Sequence, residues 1–175
     1  LGPDDRVALL GADLNAHSLL AATGGKAAAK GTAALMPASQ DAVAALLTQL
    51  GQTRTGGATD LGAALSQAAA LLQPDRAGAV LYVGDAQPTV GELDLPALRE
   101  RLERLPAPLR LYGVGIGAEA NLDLLSGLCQ MNAGLAFRVS DRAAAAETAV
   151  SITTHLSRPA VSRINAGVWQ SGFFS

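Results

Sequence analysis

"AGAVLYVGD", residues 77 to 85, is an apolar run that turns acidic only at its last residue. It is short, bounded by turn formers and apolar throughout its centre, so it reads as a strand covered on both faces. Asp85 closes it and is expected to project at the strand's C-terminal end. Toward the C-terminus, "ELDLPALRERLERL" predicts a helix with Asp94 as N-cap and Pro96 in the first turn. Leu95, Leu98, Leu102 and Leu105 would face inward, and the arginines and glutamates would form a solvated face with helix-spaced ion pairs. "LRLYGVGIG" (109–117) is a second buried strand, "NLDLLSGLCQ" a short helix capped by Asn121, and "GLAFRVSD" (134–141) a further strand. Asp141 then caps an alanine-rich helix that runs to about His155.

Toward the N-terminus, a helix is expected from about Thr59 to Gln73, with Leu61, Leu65, Ala68 and Leu72 on one side and Pro74 ending it. Residues 39–50 put Val43, Leu46, Leu47 and Leu50 on one helix face, with Ser39 as N-cap and Gly51 as stop. "RVALLGA" (6–12) and the weaker "GTAALMP" (31–37) are strand candidates, and "TGGKAAAKG" between them is a loop. Strands that alternate with helices define an α/β class: a doubly wound, mostly parallel sheet with helices on both faces. Right-handed crossovers align the C-terminal strand ends along one edge, where such sheets bind ligands.

The 175 residues make one domain's worth of chain, and 49% hydrophobic against 16% charged residues describe a globular one. A net charge of −2, two lysines (Lys26 and Lys30) and scattered arginines give no basic stripe for a phosphate backbone. Six aromatic residues leave little for base stacking, so nucleic acid is not an expected partner. No apolar run reaches the ~18 residues of a membrane span. Cys129 is the only cysteine, which rules out an internal disulfide, and it reads as a small buried apolar residue. The opening "LGPDDR", without methionine, is read as the start of a fragment.

Two polar groups converge in this arrangement. Thr59 and Asp60, in "TGGATDLGAAL" (55–65), begin the helix that leads into the strand ended by Asp85. One βα connection could bring the Thr59 hydroxyl near the Asp85 carboxylate. Such oxygens, with waters completing the shell, suit a hard divalent cation such as Mg²⁺. Gly56 and Gly57 would let the backbone come close. A helix cap at Thr59 and a turn at Asp85 explain the same residues without a metal, and both readings stand on spacing alone. Asp13 and Asn15, after the first strand candidate, read as turn residues, with a place at the edge of the site as the alternative.

The string "LGPDDRVALL … GGATDLGAAL … AVLYVGDAQPTVGE … LRLYGVGIG … GLAFRVSD" resembles the von Willebrand factor A domain over residues 1 to 156. More narrowly, it resembles the bacterial branch similar to inter-alpha-trypsin inhibitor heavy chains. The resemblance implies a Rossmann-like fold and a metal-ion-dependent adhesion site built from three loops. "GGAT" matches the second loop and places its threonine role on Thr59. "VGDAQPT" matches the third and places its aspartate role on Asp85, with Gly84 where threonine is usual and Ala86 where glycine is usual. The first loop's Asp-x-Ser-x-Ser occurs nowhere in the sequence.

"LGPDDRVALL" resembles the end of a first helix running into a second strand. The expectation is therefore that the first, central strand is missing from this chain. Its neighbours would lose a ladder partner and expose apolar edges. Residues 157–175 are read as the start of a following β-rich segment on which Trp169, Phe173 and Phe174 would pack. The resemblance implies Mg²⁺ (or Mn²⁺ or Ca²⁺), held weakly or not at all without the first loop, and a protein partner that offers a carboxylate. Similar proteins often lie at the cell surface or are exported. Two rival readings are a metal-free structural module and a hydrolase with Asp85 as nucleophile. The hydrolase needs an acid–base partner, for which His17 and His155 are poor candidates. Nucleotide binding is not supported: Gly113, Gly115 and Gly117 have the wrong spacing, and no hydroxyl follows Lys26.

Overall fold

The computed structural model describes residues 4–12, 16–18, 34–52, 58–73 and 75–156. Four short strands open the chain: β1 (Arg6–Val7), β2 (Leu10–Ala12), β3 (Ala16–Ser18) and β4 (Met36–Pro37). The helices and strands that follow are α1 (Gln40–Gln52), α2 (Leu61–Ala69), β5 (Val80–Gly84), α3 (Leu95–Glu103), β6 (Leu111–Ile116), α4 (Leu122–Met131), β7 (Ala136–Val139) and α5 (Arg142–Leu156). β5, β6 and β7 form a parallel sheet in that order, with Tyr82 opposite Gly113 and Val114 opposite Phe137. β2 pairs with β3 and β1 with β4, both antiparallel. The single strand expected over 6–12 is thus two pieces with different partners. Of the strand expected over 31–37, the described residues hold only β4. Pro74, residues 13–15, 53–57 and 157–175 lie outside the described residues, and so do the expectations placed on them.

The helix starts follow from side-chain chemistry. Asp94 accepts the Ala97 N–H at 2.9 Å, Asn121 the Leu124 N–H at 3.1 Å and Asp141 the Ala144 N–H at 2.8 Å, as their sequence positions led one to expect. Ser39 accepts the Ala42 N–H at 3.2 Å. Helix α1 runs one residue past Gly51, and only part of its expected inner face is covered. Leu46 is buried, while Leu47 and Leu50 are 63% and 50% exposed.

The main core lies between the sheet and α2, α3 and α4. Leu61, Leu65, Leu98, Leu102, Leu111, Leu125 and Leu128 meet there, each at 5% exposure or less. Each such leucine contributes about 1.5–3 kcal/mol by leaving water. Helix α4 lies on β6 and β7, and α3 packs between α2 and α4. Helix α5 takes the opposite face: the His155 ring meets Phe137 edge-on at 6.4 Å, and Arg110 donates to the His155 carbonyl at 2.6 Å. Helices therefore flank both faces of the parallel sheet.

Strand β5 departs from the expectation of cover on both faces. Tyr82 and Val80 pack on the core, but Leu81 and Val83 on the α5 side are 47% and 54% exposed. The Val80 N–H donates to the Arg110 carbonyl. In an alternating parallel ladder, Leu81 and Val83 then turn their main-chain groups away from β6. No strand among the described residues pairs with that edge. Leu81 and Val83 thus form an apolar edge of the three-stranded parallel sheet among the described residues.

Helix α4 ends in a Schellman turn, with the Gly134 N–H on the Cys129 carbonyl at 2.9 Å and Ala133 at φ +54°. A left-handed alanine costs about 1–2 kcal/mol. Ala133 is exposed, so Ala133→Gly should stabilise the domain by about 0.5 kcal/mol once the greater freedom of unfolded glycine is subtracted. A urea midpoint that falls instead of rising would contradict this.

Candidate functional site

Because β5, β6 and β7 run parallel, their C-terminal ends share one edge, and three loops meet there. Asp85 leaves β5 in an exposed position. One of its carboxylate oxygens accepts the Gln87 N–H at 3.1 Å, the local turn expected for it. Its main-chain carbonyl accepts the Asn121 N–H at 2.8 Å, and Gln87 Nε2 donates to the Glu119 carbonyl at 2.6 Å. These bonds tie the loop after β5 to the loop after β6.

Thr59 joins the same loop from the other side. Its carbonyl accepts from the N–H groups of Thr89 (3.0 Å) and Val90 (3.2 Å), and its own N–H donates to Thr89 Oγ1 at 2.8 Å. The helix cap is not Thr59 but Asp60, which accepts the Ala63 N–H at 2.7 Å. Threonine and aspartate are both good caps, so adjacency in the sequence could not separate them. The Thr59 hydroxyl makes no hydrogen bond among the described residues, and none links it to Asp85. Beneath this edge Arg101 bonds both carboxylate oxygens of Glu92 (3.0 and 2.9 Å) and the Ser66 hydroxyl (3.1 Å), clamping α2 to α3.

Ala86 follows Asp85 at φ +52° and is fully buried. The left-handed conformation gives a physical reason why glycine is the expected residue here, since alanine costs about 1–2 kcal/mol. Thr89, Gln87 and Tyr82, whose hydroxyl accepts the Ala86 N–H at 3.0 Å, were not singled out from the sequence. The signal for Tyr82 was its place two residues before Gly84 on the same strand face.

The other singled-out groups lie elsewhere. His155 sits at the N-terminal edge of the sheet beside Arg110, with Nδ1 2.8 Å from the Ser151 carbonyl, so it does not accompany Asp85. His17 lies in β3, where only the backbone is described. Cys129 is buried, and burial pushes its thiol pKa up to about 12. A groove of about 560 Å³ between Arg99, Leu105, Pro108 and Asn132 opens on the edge opposite Asp85. Among the described residues, no three His, Cys, Asp or Glu side chains group as a metal cluster, and no helix is long and apolar enough to cross a membrane.

Comparison with solved structures places the architecture. A von Willebrand factor type A protein from Catenulispora acidiphila superposes with a TM-score of 0.72 at 19% identity, over 89% of this chain and 34% of that one. The conserved hypothetical protein BatB from Bacteroides thetaiotaomicron gives 0.58 at 14% identity, over 90% and 81%. The chain thus has the von Willebrand factor A fold.

In sequence it is similar to inter-alpha-trypsin inhibitor heavy chain H2. The Sus scrofa protein is 29% identical over 115 residues, and the Mus musculus protein 34% identical over 70. Those matches cover 60% and 39% of this chain but only 12% and 7% of the relatives. No family model matches the chain.

Proposed function

We propose that residues 1–156 act as a protein-binding module in which the Thr59 hydroxyl and the Asp85 carboxylate hold a divalent cation, Mg²⁺ or Mn²⁺. When bound, that cation would bridge electrostatically to a carboxylate on a protein partner. The observation that carries the reading is the hydrogen bonding of Thr59 to Thr89 and Val90, which ties its turn to the loop begun by Asp85. Among the described residues both side chains keep oxygens without a hydrogen-bond donor, and hard oxygens are the donor type such a cation takes. Two protein ligands fill only part of the ~6 positions, so water must supply the rest and affinity in this chain is low. The role of the chain's own residues is to preset the two oxygens. The bonds to Thr89, Val90 and Asn121 hold the main chain on either side of the opening.

Isothermal titration with Mn²⁺ tests the reading. The unaltered chain should bind with a dissociation constant on the order of 1 mM. Asp85→Ala should remove that binding, and Thr59→Ala should weaken it by more than the ~10-fold typical of losing an outer-shell partner. If both variants bound as tightly as the unaltered chain, the site would be misplaced. Complete absence of binding would favour the metal-free module. The hydrolase reading has no support from His155, which stands at the opposite edge.

A further inference from the structure

We propose that Tyr82 is a positioning residue for Asp85. Its hydroxyl, lodged over Gly84 and bonded to the Ala86 N–H, fixes the peptide unit through which Asp85 leaves the strand. The inference rests on the reading of Asp85 as the functional carboxylate.

The geometry has three parts. The Asp85 carbonyl and the Ala86 N–H belong to one peptide group, and each end of it is held. Asn121 donates to the carbonyl at 2.8 Å, and Tyr82 Oη accepts from the N–H at 3.0 Å. A planar peptide gripped at both ends cannot rotate, so the direction in which the Asp85 side chain departs is set. Ala86 is fully buried, so without the phenol its N–H would face neither water nor an acceptor.

The second part is Gly84. A Cβ built there would lie 2.5 Å from Tyr82 Oη and 2.9 Å from Cζ. Residues 82 and 84 share a strand face, and the ring leans along the strand into the space that a side chain at 84 would fill. Tyrosine at 82 and glycine at 84 are thus one device. A hydroxyl borne at 84 and a hydroxyl delivered from 82 exclude each other, which gives the Gly84 departure from the resembled motif a structural cause.

The third part is electrostatic. Burial raises the Tyr82 pKa first; the bond from Ala86 lowers it, and the Asp85 charge raises it further.

The test begins with Tyr82→Phe, which keeps the ring and removes only the hydroxyl, with two readouts. Amide exchange at Ala86 should quicken about tenfold, the loss expected from one hydrogen bond. Mn²⁺ affinity should fall several-fold without loss of fold. In a Tyr112→Phe background Tyr82 is the sole tyrosine, and Asp85→Asn should shift its alkaline absorbance titration to lower pH because a nearby negative charge is gone. Gly84→Ala should be harmful beside Tyr82 and tolerated beside Tyr82→Ala, a non-additive pair. Unchanged Ala86 exchange in Tyr82→Phe, or an unmoved titration in Asp85→Asn, would overturn the proposal. Absence of Mn²⁺ binding in the unaltered chain would sink the cation reading alone, because the exchange and titration arms need no metal.

Discussion

Gly134→Ala is expected to cost the domain about 3 kcal/mol, although it adds a single methyl group. A Cβ at Gly134 would overlap the Leu111 carbonyl oxygen, with the carbonyl carbon 2.6 Å and the Tyr112 nitrogen 3.4 Å away. Those atoms are main chain at the start of β6 and cannot swing aside as a side chain would. The turn itself is pinned: Leu111 donates to the Asn132 carbonyl at 3.0 Å and Gly113 to the Leu135 carbonyl at 3.0 Å. Relief would require shifting β7 relative to β6, at the expense of ladder bonds. For a chain of this size, about 3 kcal/mol lowers the melting temperature by roughly 6–12 °C. A change of less than about 2 °C in calorimetry would show that the turn relaxes freely. The neighbouring Ala133→Gly points the other way, which makes the pair a sharp test of the turn.

Leu128→Ala should be comparably severe. Leu128 is fully buried in α4, among Leu98, Leu111, Leu125 and their neighbours. Truncation removes transfer energy and leaves a cavity that three packed layers cannot close, for about 2–5 kcal/mol. The urea midpoint should fall with an unchanged slope, since native compactness is kept. Leu47→Ala on the exposed side of α1 is the internal control and should stay within about 0.5 kcal/mol of the parent. Equal losses at Leu128 and Leu47 would refute the placement of the core. Because the Asn121 N–H at the start of α4 holds the Asp85 carbonyl, loosening α4 should also disorder the loop that carries Asp85.

The sequence disclosed what short-range chemistry decides. Asp94, Asn121 and Asp141 cap the helices expected of them because a carboxylate or amide before an apolar repeat has few other uses. "LRLYGVGIG" reads as buried, and residues 111–115 are buried because β6 is central to the parallel sheet, although Ile116 at its end is exposed. "AVLYVGD" has the same look yet shows Leu81 and Val83 to solvent. An apolar run reports the wish to be covered, while the cover comes from distant residues. Leu47 and Leu50 in α1 fail for the same reason: helical spacing defines a face but not the neighbour that will meet it. The direction and partner of β1 to β4 depended on pairing across the chain, which no local signal carries.

The candidate site was legible as a location and not as a mechanism of assembly. The structure ties the turn of Thr59 to the loop that follows Asp85. The bonds that hold these two segments run through main-chain groups of Thr89, Val90 and Asn121, whose identities say little about those contacts. Tyr82 was hidden because a tyrosine in a strand is ordinarily explained by packing alone.

Cys129, shut between α4 and the sheet with its thiolate suppressed, has a practical consequence. An alkylating reagent in the bulk can reach that sulfur only when the helix lifts away, so each modified molecule records one excursion out of the native state. The domain carries its own chemical clock for opening, and labelling rates can rank the variants above without an added probe.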